Sequence, residues 1–329
     1  MKTLFRAAFI FAVLTFIAAG TGMAAKWNAK LGHDQPATSP HHQALVKFKD
    51  TVEKGSKGQI AIEIFEQQKL GTGIQMVEMV QAGALEFLAV PTSNVQVIEP
   101  AFQVLDLPFL VSSRGDLYKL LDGDLGKALY ATLKDKNITG LSFLESGFKQ
   151  FTGTFPIINP ADYKGHKIRV MPAPVLVQQF KALGAIGVPI DFAELYNALQ
   201  QNVVDGQENP ITTIWTKKFY EVQDFMAMSN HGFLGYVFIA NQDFMNSLPA
   251  KYQKLVMDAA LEASHFERAL IAEKEKDYLK DIKAGGVTII ELSPEKLAAF
   301  QKAMLPVHDW FVKENPAGAP FLKIIKNAQ

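Results

Sequence analysis

Between Leu199 and Trp215 the chain reads LQQNVVDGQENPITTIW, which sets Asp205, Gln207, Glu208 and Asn209 around one glycine and one proline with apolar residues on both sides. Two carboxylates this close can serve as a general acid and base on a glycosidic bond, or they can cap the helix that follows. Capping is the commoner use of such a pair and is the reading adopted. The other chemistry-bearing residue is Arg169, inside the apolar run Lys167-Ile168-Arg169-Val170-Met171. A guanidinium buried among strand residues is costly unless something pairs with it. Either the partner is internal, with Asp205 or Glu208 forming a structural ion pair, or it arrives from outside as a carboxylate whose two oxygens match the guanidinium fork. The residues alone leave these two alternatives open.

Reactive constellations are missing. There is no G-x-S-x-G elbow, no H-E-x-x-H, no phosphate-binding loop and no G-x-G-x-x-G after a strand. Gly71-Thr72-Gly73 lacks a third glycine and predicts a helix entry turn. His41 and His42 are adjacent, so on a helix they point in different directions and make a poor metal pair; surface histidines are expected. The chain has no cysteine, which excludes disulfides, thiolate catalysis and cysteine-based metal sites. What remains is polar but unreactive, and no cofactor or metal is expected.

The elements that must hold these residues alternate between helix and strand. Ser39-Pro40 predicts a helix start, with Ala44, Leu45, Phe48 and Val52 at helical spacing and a stop near Gly55. Ile60, Ile62 and Ile64 predict a strand, residues 74–82 a helix ending at Gly83, and 85–90 a buried strand stopped by Pro91. Strands at 141–144 and 167–171 and helices at 175–183 and 194–202 repeat the alternation, so two α/β units and two sheets are expected. From Pro249 to Lys283 a single helical pattern runs unbroken to Gly285-Gly286. At about 1.5 Å per residue it extends on the order of 50 Å, enough to touch two lobes.

Length and composition fit this. A chain of 329 residues with 48% hydrophobic content can form two domains. Lys2 and Arg6 precede an apolar run from Ala7 to Ala19, and small residues follow to Ala25. This order predicts a cleaved secretory signal peptide over residues 1–25, too short in its apolar part to span a membrane. The remainder has 31 basic and 33 acidic residues, a net charge of −2, and no basic stripe. Nucleic acid binding is disfavoured, and an exported protein without disulfides fits the periplasm.

The run YKGHKIRVMPAPVLVQQFKALGAIGVPIDFAELYNALQQNVVDGQENPITTI, Tyr163 to Ile214, resembles the signature region of the DctP-type substrate-binding proteins of TRAP (tripartite ATP-independent periplasmic) transporters. SPHHQALVKFKDTVEKGSKGQIAIEIFEQQKLG is similar to the family's first helix and strand, and DLPFLV to its L-P-F segment. The resemblance covers essentially the whole mature chain.

It implies an α/β, two-lobed clamp of the periplasmic binding protein type with a long helix crossing both lobes. Domain I would comprise 26–146 and 235–274, and domain II 147–234 and 275–329. Arg169 matches the family arginine that receives a substrate carboxylate, Asn209 the ligand-contacting asparagine, and Phe192 an aromatic that packs on the ligand. Lys149 matches a second cationic position. Asp34, with His33 beside it, and Tyr236 match positions facing the ligand from domain I, where hydrogen bonds to a hydroxyl or keto oxygen are expected. In the polar turn, Gly206 is expected at positive φ, with Asp205 and Glu208 bonding around the turn and toward Arg169. The function implied is capture of a small organic acid and delivery to TRAP membrane subunits, by a monomer. The other readings are a binding protein serving an ABC permease or a sensor kinase, or an extracytoplasmic enzyme acting on carboxylates.

Overall fold

The computed structural model describes residues 25–328. The expected leader over 1–25 therefore lies outside the described residues but for Ala25. The strands are β1 (Trp27–His33), β2 (Ile60–Phe65), β3 (Phe87–Pro91), β4 (Ile138–Gly153), β5 (Lys167–Val170), β6 (Ile186–Pro189), β7 (Gly206–Pro210), β8 (Phe225–Asn241) and β9 (Thr288–Glu291).

Two sheets were expected, but one nine-stranded sheet is found, in the order β2-β1-β3-β8-β4-β7-β5-β6 with β9 on β8. The reason is the length of β4 and β8, 16 and 17 residues. They pair antiparallel from Ile138↔Asn241 at one end to Gly153↔Phe225 at the other. One end of this ribbon carries β3, β1 and β2; the other carries β7, β5 and β6. The register shifts at three points along it, including Glu145/Gly147, and such irregularities let a ribbon bend.

Local signals place the helices as expected. Ser39 Oγ accepts from the His42 N–H at 3.1 Å and Pro40 opens the helix Pro40–Gly55. Thr72 and Gln75 form a reciprocal capping box at the entry to Gly73–Gln81. The long helix is a single element, Ala250–Ala284, of 35 residues. Its first half buries Val256, Ala259, Ala260 and Ala263 in a core with Leu31, Phe48 and Phe238. Its far end buries Tyr278 and Ile282 in a different core with Leu195, Ile211 and Ile214. One helix therefore ties two cores together. The C-terminal helices also reach across: Asn315 Nδ2 donates to the Pro100 carbonyl at 2.6 Å, and His308 Nε2 lies 2.7 Å from that of Pro108.

The polar turn is corrected. Gly206–Pro210 is strand β7, with all five residues buried, between β4 and β5. Gly206 is not at positive φ. It is glycine because a Cβ there would stand 2.3 Å from the Thr152 carbonyl oxygen of the neighbouring strand. The surface histidines are corrected too: His41 is 4% exposed and its Nδ1 lies 2.7 Å from Glu267 Oε1 on the long helix.

Candidate functional site

Parallel strands on both halves of the sheet end at one place, the position where open α/β sheets bind ligands. Asp34 follows β1, Pro91 closes β3, Met171 follows β5, and Asp191 and Phe192 lie just beyond β6. With Gln68, Asn94, Asn209, Leu234 and Tyr236 they line a small, largely enclosed cavity. A wider hollow of about 940 Å³ beside Val46 and Phe266 is open, and its Asp50 and Lys54 are exposed, so nothing there converges on a ligand.

Arg169 is the centre of the cavity's chemistry. It is 2% exposed, its Nε donates to the Ile190 carbonyl at 2.9 Å, and among the described residues its buried Nη2 has no partner. Burial pushes the guanidinium down to about 10, and the fields of Glu208, Asp191 and Asp34 keep it from falling further. It is therefore charged at neutral pH, buried, and without an ion pair among the described residues. Phe192 lies 5.9 Å from its guanidinium carbon, with Lys217 Nζ 4.9 Å from the same ring.

Asp34 and Tyr236 form the facing wall. Tyr236 donates its hydroxyl hydrogen between the two Asp34 oxygens, at 3.1 and 3.2 Å, and accepts from Gln35 Nε2 at 2.6 Å. Burial pushes the Asp34 carboxyl up, and His41, Tyr236 and Lys217 offset part of that rise.

Of the expected site residues, Arg169, Asn209, Phe192, Asp34 and Tyr236 line this cavity; His33, Lys149 and Glu208 do not. His33 is wholly buried behind Asp34. Its Nδ1 accepts from the Gln35 N–H at 3.2 Å, so its Nε2 carries the hydrogen toward His42 Nδ1, 3.0 Å away. Glu208 does not turn toward Arg169. Its oxygens take Lys149 Nζ at 2.6 Å, His231 Nε2 at 2.6 Å and Gln179 Nε2 at 2.5 Å. Burial would raise Glu208, but Lys149 and His231 overrule it and hold the carboxyl down at about 2. Asp205 likewise bonds the Lys167 N–H at 2.8 Å and lies 3.2 Å from His166.

Neither internal partner considered for Arg169 pairs with it. Asn209 is held from behind, its Nδ2 donating to Gln207 Oε1 at 2.5 Å. Gln68, Asn94 and Asp191 were missed in the sequence, although Asp191 sits at a strand end, the one signal available. The cavity is pinned shut across its mouth: Gln68 Oε1 accepts from the Ala193 N–H at 3.1 Å, and Gln96 Nε2 donates to the Pro172 carbonyl at 3.3 Å.

The family model for the bacterial extracellular solute-binding proteins, family 7, matches residues 31–315. The 2,3-diketo-L-gulonate-binding periplasmic protein YiaO of Escherichia coli (strain K12) is 32% identical over 311 residues, 94% of each chain. The C4-dicarboxylate-binding periplasmic protein DctP of Rhodobacter capsulatus is 33% identical, over 91% of this chain and 90% of its own. A TRAP periplasmic solute-binding protein from Desulfovibrio salexigens, solved with bound orotic acid, superposes with a TM-score of 0.89 at 33% identity. That match covers 92% of this chain and 98% of the other.

Proposed function

The chain belongs to the bacterial extracellular solute-binding proteins of family 7, and we propose that it captures a small organic acid at Arg169 and hands it to the membrane subunits of a TRAP transporter in the periplasm. It is a transport protein with a two-lobed clamp fold, not an enzyme. The observation that carries the reading is the Arg169 guanidinium, charged and buried with Nη2 unpartnered among the described residues. A carboxylate supplies the missing acceptor, and in a site closed to water the contact is far stronger than in solution.

Each neighbouring residue then has a role. Ile190 fixes the Arg169 fork through Nε, Asn209 offers its remaining amide hydrogen to the ligand, and Phe192 covers it. The buried Lys149–Glu208 pair positions β7, which carries Asn209, rather than touching the ligand. Domain I, 26–146 with 235–274, supplies Asp34 and Tyr236; domain II, 147–234 with 275–329, supplies Arg169, Phe192 and Asn209. A ligand touching both lobes binds the closed form better than the open one and shifts the population toward it. The carrier acts as a monomer, with no nucleic acid partner and no cofactor.

The test is a thermal-shift panel of small organic acids on the purified protein and on Arg169→Met. A melting temperature that rises with the concentration of an acid, and does not rise in the folded variant, is expected. A variant that keeps the full shift would refute Arg169 as the carboxylate anchor.

A further inference from the structure

The charges lining the cavity do not suit a dianion. Among the described residues that line it, Arg169 is the single cation, against two carboxylates, Asp34 and Asp191. Lys217 does not line it; it stands over the Phe192 ring, and its field already acts on Asp34. One negative charge on a ligand is matched by Arg169; a second would find no further cation among the residues that line the cavity.

On the wall that faces Arg169 the Asp34–Tyr236 pair has no hydroxyl hydrogen to spare, although the Gln68 and Asn94 amides also line the cavity. Tyr236 spends its one hydroxyl hydrogen on Asp34, and Gln35 spends an amide hydrogen on Tyr236. Asp34, 2% exposed, receives that one side-chain hydrogen on two oxygens. A carboxylate has about four lone-pair positions, so the wall still has room to accept. What such a surface binds is a group that donates.

Resting on the organic-acid reading above, we infer that the cavity selects a hydroxylated monocarboxylate, a hydroxy acid or sugar acid, over a dicarboxylate, with Asp34 accepting from the ligand's hydroxyls. A dicarboxylate would place its second carboxylate among Asp34 and Asp191, where like charges repel and the Tyr236 hydroxyl hydrogen is already used. A hydroxylated chain turns the same wall into a partner. Asp34 gains donors that offset its burial, and the ligand's hydroxyls replace bonds they had made to water.

The experiment is isothermal titration at neutral pH of the purified protein with D-galactonate, D-glucuronate, D-erythronate, succinate and fumarate. At least one of the three hydroxylated acids is expected to bind at least about tenfold more tightly than either dicarboxylate. Asp34→Asn keeps the side-chain shape while replacing one acceptor oxygen by a donor amide, and Asp34→Ser removes the charge in a smaller side chain. Each is expected to weaken the hydroxylated acid by about tenfold or more and to narrow its advantage over succinate.

Succinate or fumarate binding as tightly as the best hydroxylated acid would overturn the selectivity, as would an unchanged ratio in a folded Asp34 variant. If that succinate binding is lost in Arg169→Met, the capture of organic acids stands and only the selectivity falls. Binding of none of the five acids, or binding indifferent to Arg169→Met, sinks both.

Discussion

The Lys149 ammonium and the Glu208 carboxylate meet at 2.6 Å between β4 and β7, with side chains only 1% and 3% exposed. A cation and an anion expected to face a ligand are instead spent on each other. Removing either partner leaves the other charged and dry, which is costlier than removing both.

Lys149→Met should therefore destabilise the protein by about 3–5 kcal/mol at neutral pH, and adding Glu208→Gln should recover part of that loss. Urea unfolding of the two single variants and the double variant measures it. A double variant as unstable as the sum of the singles would show that the pair is not coupled.

The same pair sets an acid limit. Glu208 is held at about 2, below its ordinary 4.5, so the folded state binds its proton later than the unfolded chain does. Its contribution is complete above about pH 5 and is lost as pH falls through about 2, on the order of 3 kcal/mol in all. Glu208→Gln should flatten the stability profile in that window. Chemical denaturation at a series of acidic pH values would read it.

Asp106 works in the opposite sense. It is fully buried, neither carboxylate oxygen has a hydrogen-bond partner among the described residues, and burial first, with Glu208 adding, pushes it up to about 7 despite Lys149. The folded state therefore holds this proton where the unfolded chain has released it, and stability falls as pH rises from about 4 to about 7. Asp106→Asn should raise the melting temperature at about pH 8 and change it much less at about pH 5. Equal shifts at both would assign the effect to packing.

Gly206→Ala should cost at least about 2 kcal/mol, because the new Cβ would meet the Thr152 carbonyl oxygen at 2.3 Å and backbone cannot swing aside as a side chain can. Gly115→Ala is the control. It lies in the helix Arg114–Leu121 with its nearest neighbour at 3.9 Å, and alanine there should be neutral or stabilising by up to about 1 kcal/mol. Thermal unfolding of both variants gives the comparison.

Arg169→Met should leave the unliganded protein as stable as wild type or more so, since it removes a buried charge that lacks an ion pair. Only the liganded wild type should regain the lead. Differential scanning calorimetry with and without a binding acid tests the crossover.

The elements that showed in the sequence are those whose burial follows a period. The long helix repeats its apolar stripe over 35 residues, and Ile60, Ile62 and Ile64 alternate cleanly. β7 did not show because its residues are polar yet buried: Gln207 Nε2 donates to Thr152 Oγ1 at 2.8 Å, and Glu208 is enclosed by three donors. A pattern that equates polar with exposed reads such a strand as a turn. Arg169 stood out for the reason that makes it costly, a charge in an apolar strand. Asn94, Gln68 and Asp191 carry no such mark locally, since only the fold brings Gln68 and Asn94 together with Asp191, from a distant part of the sequence.

The ribbon of β4 and β8 and the helix Ala250–Ala284 run beside one another, joined where Ser142 Oγ donates to the Ala260 carbonyl at 3.0 Å and Arg268 Nη2 to that of Phe143 at 2.9 Å. Three parallel beams resist sliding, because one could advance past another only by breaking those bonds. The ribbon is irregular at Gly147, whose φ of +115° sits in a register shift and favours glycine. The two walls of the cavity are thus carried on one continuous ladder of hydrogen bonds, so the spacing between them is set by strand pairing rather than by a loose linker.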